Sequence, residues 1–161
     1  MTSSAAREEA VRTLLAIWVP GKPATKGSKR AFVTRPKPGS GKQPRAVMVE
    51  DAKESLSAWM SKITTIASAA YDHPPHEGAL AMTVTFHMPR PKGHYGTGRN
   101  ADTLKPVAPT RPTGKPDLDK MLRAVKDALE GVVYRNDSQI VDVAARKVYG
   151  DPGATIEVCT L

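Results

Sequence analysis

The chain has almost no cysteine and few aromatic residues. Its 161 residues include one cysteine, Cys159, which excludes an internal disulfide and any zinc site built from several cysteines. Aromatic residues make up only 5% of the chain, so stacking on aromatic side chains is at most a secondary mode of binding. No apolar run approaches the length of a membrane helix, and the first residues, which include Glu8 and Glu9, do not resemble a secretory signal. We therefore expect a folded cytoplasmic protein that does not enter a membrane.

Acidic residues are absent or nearly absent from two stretches that are rich in proline and glycine. Residues 20–45 contain eight lysines and arginines and no acid, and residues 89–116 contain six against Asp102 alone. The net charge of +8 is thus concentrated in loop-like regions. A need for solubility would explain the lysines but not the scarcity of acidic residues. The separation of positive from negative charge along the chain therefore favours binding to a phosphate backbone. The residues we expect to contact DNA are Lys22, Lys26, Lys29, Arg30, Lys92, Arg99, Lys115 and Lys120.

The apolar pattern predicts a single α+β domain over residues 1–161. Helical spacing predicts two main helices, one from about Asp51 to Tyr71 and one from Leu118 to Leu129, followed by Gly131 as a C-terminal stop. Short strands are predicted at residues 14–19, 31–34, 46–49, 79–88, 132–134, 140–149 and 155–160. This order predicts one mixed β-sheet packed with the two helices, and flexible basic loops at about residues 35–45 and 89–116.

Three aspartates stand at the edges of predicted elements: Asp117, Asp119 and Asp137. Carboxylates inside a positive field suit a divalent metal that acts on a polyanion, which indicates a Mg²⁺-dependent enzyme acting on nucleic acid. Helix capping explains Asp117 and Asp119 equally well, and turn chemistry explains Asp137. Two helical residues at this spacing would diverge by roughly 200°, but an extended N-cap backbone lets Asp117 turn towards Asp119. The residue pattern alone leaves both explanations open.

The region from Lys115 to Lys147 resembles the RusA family of Holliday junction resolvases, which are endonucleases of bacteria and their prophages. The similarity is carried by Gly-Lys-Pro-Asp-Leu-Asp-Lys at residues 114–120, by Asn-Asp-Ser-Gln-Ile-Val at residues 136–141 and by Lys147, with a looser match at residues 20–28. The resemblance implies a metal site of Asp117, Asp119 and Asp137 that takes Mg²⁺, with Mn²⁺ as a substitute. It also implies a catalytic lysine one helical turn after Asp119, where this chain has Arg123. Since arginine keeps its charge and does not release a proton, we expect Arg123 to assist electrostatically.

The resemblance further implies a substrate and an assembly. The substrate would be a four-way DNA junction, cut by paired phosphodiester hydrolysis during recombination and repair. Because such a junction presents two equivalent strands, a two-fold homodimer is the natural assembly. The expected setting is the bacterial cytoplasm, with a phage or prophage origin. Two alternatives stay open: a nuclease of the same chemistry that acts on flaps or forks, and a DNA-binding protein without catalytic activity.

Overall fold

A four-stranded sheet provides the apolar face on which the fold is built. The computed structural model describes residues 11–26, 30–34, 45–49 and 53–161, with the side chains of residues 30–34, 45–49, 53 and 54 outside the description. The sheet contains β1 (Thr13–Pro20), β4 (Leu80–Met88), β5 (Ile140–Tyr149) and β6 (Gly153–Thr160) in the order β1-β6-β4-β5. Its β4 and β5 are parallel and its other pairs antiparallel, so the sheet is mixed. A separate antiparallel pair is formed by β2 (Arg30–Thr34) and β3 (Arg45–Val49).

The core lies on one face of this sheet. Alternate residues of β4, from Leu80 to Met88, are buried while the residues between them stay partly exposed, as the two-residue period of a strand requires. Two helices, α1 (Lys53–Ala70) and α2 (Leu118–Leu129), add their apolar stripes to the same core and contact each other. Trp59 and Ile63 of α1 and Met121 and Val125 of α2 are among the buried residues. This packing fixes α2, and with it the aspartates at its start, against the sheet.

The predicted α+β fold with one mixed sheet and two main helices is confirmed. The helix α2 has the predicted bounds, whereas Asp51, the predicted start of α1, lies outside the described residues. The predicted strand at residues 132–134 is wrong. Gly131, with φ of 80°, reverses the chain directly after α2, and residues 132–134 form a buried turn joined by isolated bridges. Their apolar character reflects burial in the core rather than pairing in a sheet.

The long basic segment at residues 89–116 folds back on itself. It contains two short 3₁₀ helices, Lys92–His94 and Gly98–Asn100. The Lys105 N–H donates to the His94 carbonyl at 2.9 Å, and the Arg90 guanidinium donates to the Pro109 carbonyl at 2.8 Å. The other predicted flexible loop, at about residues 35–45, lies outside the described residues except for the backbone of residue 45. In the described part of the chain, no helix is long and apolar enough to span a membrane.

Tyr134 joins the end of α2 to the turn that follows it. The side chain is fully buried, and its hydroxyl donates to the Lys126 carbonyl at 2.8 Å. Burial raises the pKa of this hydroxyl, and the negative charges of Asp137, Glu130 and Asp127 raise it further. The hydroxyl therefore stays protonated as a donor, and three carboxylates lie close enough to act on it.

Replacing Tyr134 by phenylalanine removes this donor while keeping the ring. We expect Tyr134→Phe to lower the free energy of unfolding by about 1 kcal/mol at pH 7, because the Lys126 carbonyl loses the hydroxyl donor and keeps only the Glu130 N–H. The pKa in the folded protein lies above that of the unfolded chain, so the wild type keeps this stabilisation below about pH 10 and loses it as the pH rises further. Urea unfolding of both proteins from pH 7 to pH 11 should show that the difference in their free energies of unfolding, the gap, narrows above pH 10. A constant gap would contradict the role assigned to the hydroxyl.

Candidate active site

The first two aspartates lie at the start of α2. Asp117 occupies the N-cap position with the extended backbone expected there (φ −72°, ψ 136°), yet its side chain makes no capping hydrogen bond. Its Oδ2 lies 3.1 Å from the Lys120 ammonium instead. Asp119 is exposed in the first turn, and its side chain makes no hydrogen bond or ion pair with a described residue, the Arg123 side chain included. Helix capping therefore does not account for either carboxylate.

The third aspartate begins a short 3₁₀ helix, Asp137–Gln139, directly before β5. The turn chemistry belongs to its neighbours: the Asn136 side chain accepts from the Ser138 N–H at 2.9 Å, and the Gln139 side chain accepts from the Asn136 N–H at 3.0 Å. The Asp137 Oδ2 lies 3.4 Å from the Lys126 ammonium of α2. A capping box of Asn136 and Gln139 therefore closes the turn, and the Asp137 side chain does not. The spacing of Asn136 and Gln139 could have indicated this box.

One side of α2 links the second and third aspartates. Asp119, Arg123 and Lys126 stand at positions i, i+4 and i+7, which share one helix face. The helical rise separates Asp119 from Lys126 by about 10 Å along the axis. Lys126 reaches Asp137, so Asp119, Arg123 and Asp137 border one side of α2.

The donor set suits magnesium in its chemistry. Carboxylate oxygens are the hard ligands that Mg²⁺ prefers, and Asp117 and Asp137 are about half exposed. Among the described residues, however, no group of three or more histidine, cysteine, aspartate or glutamate side chains lies close enough together to hold a metal ion. In this geometry the ammonium groups of Lys120 and Lys126 neutralise two of the three carboxylates.

Lys147 of β5 holds the segment that leads into α2. Its ammonium donates to the Gly114 carbonyl at 2.8 Å and to the Pro116 carbonyl at 3.1 Å, on both sides of Lys115. The Lys115–Pro116 peptide bond is cis. Sequence reasoning included Lys147 in the family resemblance and assigned no role to it. The structure places it as the contact that positions the residue before Asp117.

The predicted DNA contacts divide into three groups. Lys22, Lys92, Arg99 and Lys115 are exposed and form no ion pair with a described residue. Lys26 and Lys120 are engaged, by Asp127 and Asp117 respectively. Lys29 lies outside the described residues, and Arg30 is described only as backbone in β2.

Comparison with known proteins places these residues in a family. The family described as Endodeoxyribonuclease RusA matches residues 20–159. The chain is also 34% identical over 89 residues to an uncharacterized protein of Bacillus subtilis (strain 168), YqaN. That match covers 53% of this chain and 62% of the relative, so the chain spans less than two thirds of the curated relative's length.

Proposed function

The chain belongs to the RusA endodeoxyribonuclease family, and from this premise we propose that it is a Mg²⁺-dependent nuclease that resolves four-way DNA junctions by paired phosphodiester hydrolysis. One observation carries the proposal beyond the family match. Asp117 and Asp137 occupy positions where a carboxylate commonly caps a helix or closes a turn, and neither side chain does so. Among the described residues, their carboxylates are engaged only in ion pairs with Lys120 and Lys126, and a metal cation can replace these partners.

The proposed metal ligands are Asp117, Asp119 and Asp137, which would have to come closer together than they lie here to share one ion. When bound there, Mg²⁺ would supply an activated water and neutralise charge on the phosphoryl oxygens, and Mn²⁺ is the proposed substitute. The ammonium groups of Lys120 and Lys126 now neutralise Asp117 and Asp137. In the proposed metal-bound enzyme these lysines are released from the carboxylates and become available to the DNA backbone.

Arg123 is proposed to stabilise negative charge at the scissile phosphate. It follows Asp119 by one helical turn, is exposed and is not engaged by any described carboxylate. An arginine side chain supplies charge and hydrogen bonds rather than a proton. A proton-transfer role falls to water in this proposal.

DNA is proposed to bind by shape and charge. Lys22, Lys92, Arg99 and Lys115 present positive charge without acidic partners among the described residues. Contacts of this kind position the phosphate backbone and carry little sequence information. The proposed setting is the bacterial cytoplasm, where chromosomal and prophage DNA recombine.

A second copy of the chain is proposed to pair with this one along β5. This strand is an edge of the four-stranded sheet, and Val141 and Val143 on it are 65% and 48% exposed. An exposed apolar edge strand is a surface that usually becomes covered. The strand begins directly after the 3₁₀ helix that Asp137 opens, so this interface would connect the two sites that a two-fold junction requires.

Cleavage of synthetic DNA tests the activity. We expect the wild type to cut a four-way junction in Mg²⁺ with paired symmetric nicks and to stop when EDTA is added. Asp119→Asn should lower kcat/KM at least about 100-fold, because loss of an outer-shell partner of a metal already costs 10–100-fold and a direct ligand contributes more. Isothermal titration with Mn²⁺ should show weaker binding to Asp119→Asn.

The control for this variant is Asp151→Asn, which removes the same charge from the exposed turn between β5 and β6. It should keep both activity and Mn²⁺ binding. Flap, fork and linear duplex substrates complete the assay. Equal cutting of linear duplex would contradict junction resolution, preferred cutting of flaps or forks would favour the alternative nuclease, and binding without cleavage would favour a non-catalytic protein.

The dimer is tested by charge substitution on β5. Val143→Lys should turn a dimer of 17.3 kDa chains into a monomer, measured by sedimentation velocity, because an ammonium would be buried at the interface. The matched control is Val107→Lys, which changes an 87% exposed valine of the basic segment. A dimer that survives Val143→Lys would place the interface elsewhere.

A further inference from the structure

A cavity of about 310 Å³ lies beside the start of α2. Its walls come from the last residues of β4 and β5, from Lys22 after β1, and from the end of the basic segment, including Gly114 and Pro116. Pro116 is followed directly by Asp117, so the cavity adjoins the candidate active site. Its volume is at the small end of ligand pockets, which suits a single small group rather than a length of duplex.

The cavity carries uncompensated positive charge. Lys22, Lys115 and Lys147 line it, and no aspartate or glutamate of the described residues does. None of the three pairs with a described acid, unlike Lys120 and Lys126 of α2. Lys147 gives two of its three N–H groups to the Gly114 and Pro116 carbonyls, which leaves one donor. Three lysines around one space, without a counter-charge among the described residues, favour an anion such as a phosphate.

The remaining wall is apolar and aromatic. Met88, Pro109, Pro112, His94 and Tyr149 line it. The His94 ring packs edge-on against Tyr149, with 5.7 Å between ring centroids. The Arg90 guanidinium lies 4.0 Å from the centroid of the same Tyr149 ring. Such a wall suits a flat, uncharged group, and a nucleobase beside its own phosphate combines both requirements.

We propose that this cavity binds one nucleotide of the junction strand, unstacked from its neighbours, with its phosphate on Lys22, Lys115 and Lys147 and its base against the apolar wall. A base that stays stacked in a duplex cannot enter a side pocket, so the occupant must leave the stack. The branch point of a junction, where stacking is interrupted, supplies such a nucleotide at least cost. The inference rests on the proposed function, because it assumes that DNA reaches the adjoining aspartates.

Fluorescence of 2-aminopurine, which rises when the base leaves the stack, tests the pocket by binding alone. Junctions carrying this base at successive positions beside the cut are saturated with full-length Asp119→Asn protein, so that they stay intact. We expect a rise at one position. Adding Gly114→Leu should abolish it, since a Cβ at Gly114 meets no heavy atom within 4 Å and the larger side chain can occupy space at the cavity wall.

Gly93→Leu is the matched control, because a Cβ there also meets no heavy atom within 4 Å and Gly93 does not line the cavity. It should leave the fluorescence rise intact.

The positive charge of the cavity is tested by kinetics in the active protein. Lys22→Met should raise the KM for the junction about 10-fold, as expected for a lost hydrogen bond to a charged group. The control is Arg146→Met, because Arg146 precedes Lys147 in β5 and so lies on the opposite face of the sheet. This variant should change the KM no more than about 2-fold.

Several outcomes would overturn the proposal that this cavity binds a nucleotide. They are a signal at no position, equal signals from the Gly114 and Gly93 variants, or equal effects of the Lys22 and Arg146 variants. A wild type that leaves all junctions uncut in Mg²⁺ would overturn the proposed function instead. The two failures are distinguishable, because the fluorescence is read on uncut DNA and the wild-type cleavage is read without any pocket variant.

Discussion

The bridge from the Lys147 ammonium to the carbonyls of Gly114 and Pro116 is the contact on which the site depends. A long segment separates β4 from α2, and the start of α2 needs an anchor of its own. A charged donor on two carbonyls is stronger than a neutral hydrogen bond and supplies that anchor from β5. The same strand begins directly after the 3₁₀ helix that Asp137 opens. One strand therefore sets the positions of Asp117, through Lys147, and of Asp137, through chain continuity.

Around the site, the side chains of Asp117, Asp119 and Asp137 do not hold the backbone and are left for ligands. Asn136 and Gln139 close the turn before β5, and the Tyr134 hydroxyl binds the end of α2. No charged side chain is buried among the residues whose side chains are described. Since the carboxylates do not cap the helix or turn, their partners can change from lysine to a metal or to DNA without removing a contact that shapes the fold. The aspartates thus depart from the usual capping role at the positions where a metal or DNA would use their carboxylates.

The periodicity of apolar residues was sufficient to predict the sheet, both main helices and the bounds of α2, because these elements bury one face each. It failed at residues 132–134, where an apolar run is buried in a turn, because periodicity cannot distinguish a short buried turn from a short buried strand. The extended backbone of Asp117 was predictable from its N-cap position. The pairing of Lys126 with Asp137 and the reach of Lys147 were not, because each joins residues that only the tertiary fold brings together.

Arg123 departs from the lysine that the family resemblance leads one to expect, and its surroundings define what this changes. It lies on the helix face between Asp119 and Lys126, so a strand bound along α2 would meet a carboxylate, a guanidinium and an ammonium in turn. Both possible residues carry one positive charge, and only lysine can lose a proton near neutral pH. The guanidinium instead offers parallel N–H donors that match two oxygens of one phosphate. The substitution thus preserves the sign of the charge and alters the geometry of contact, from a point charge to a planar fork.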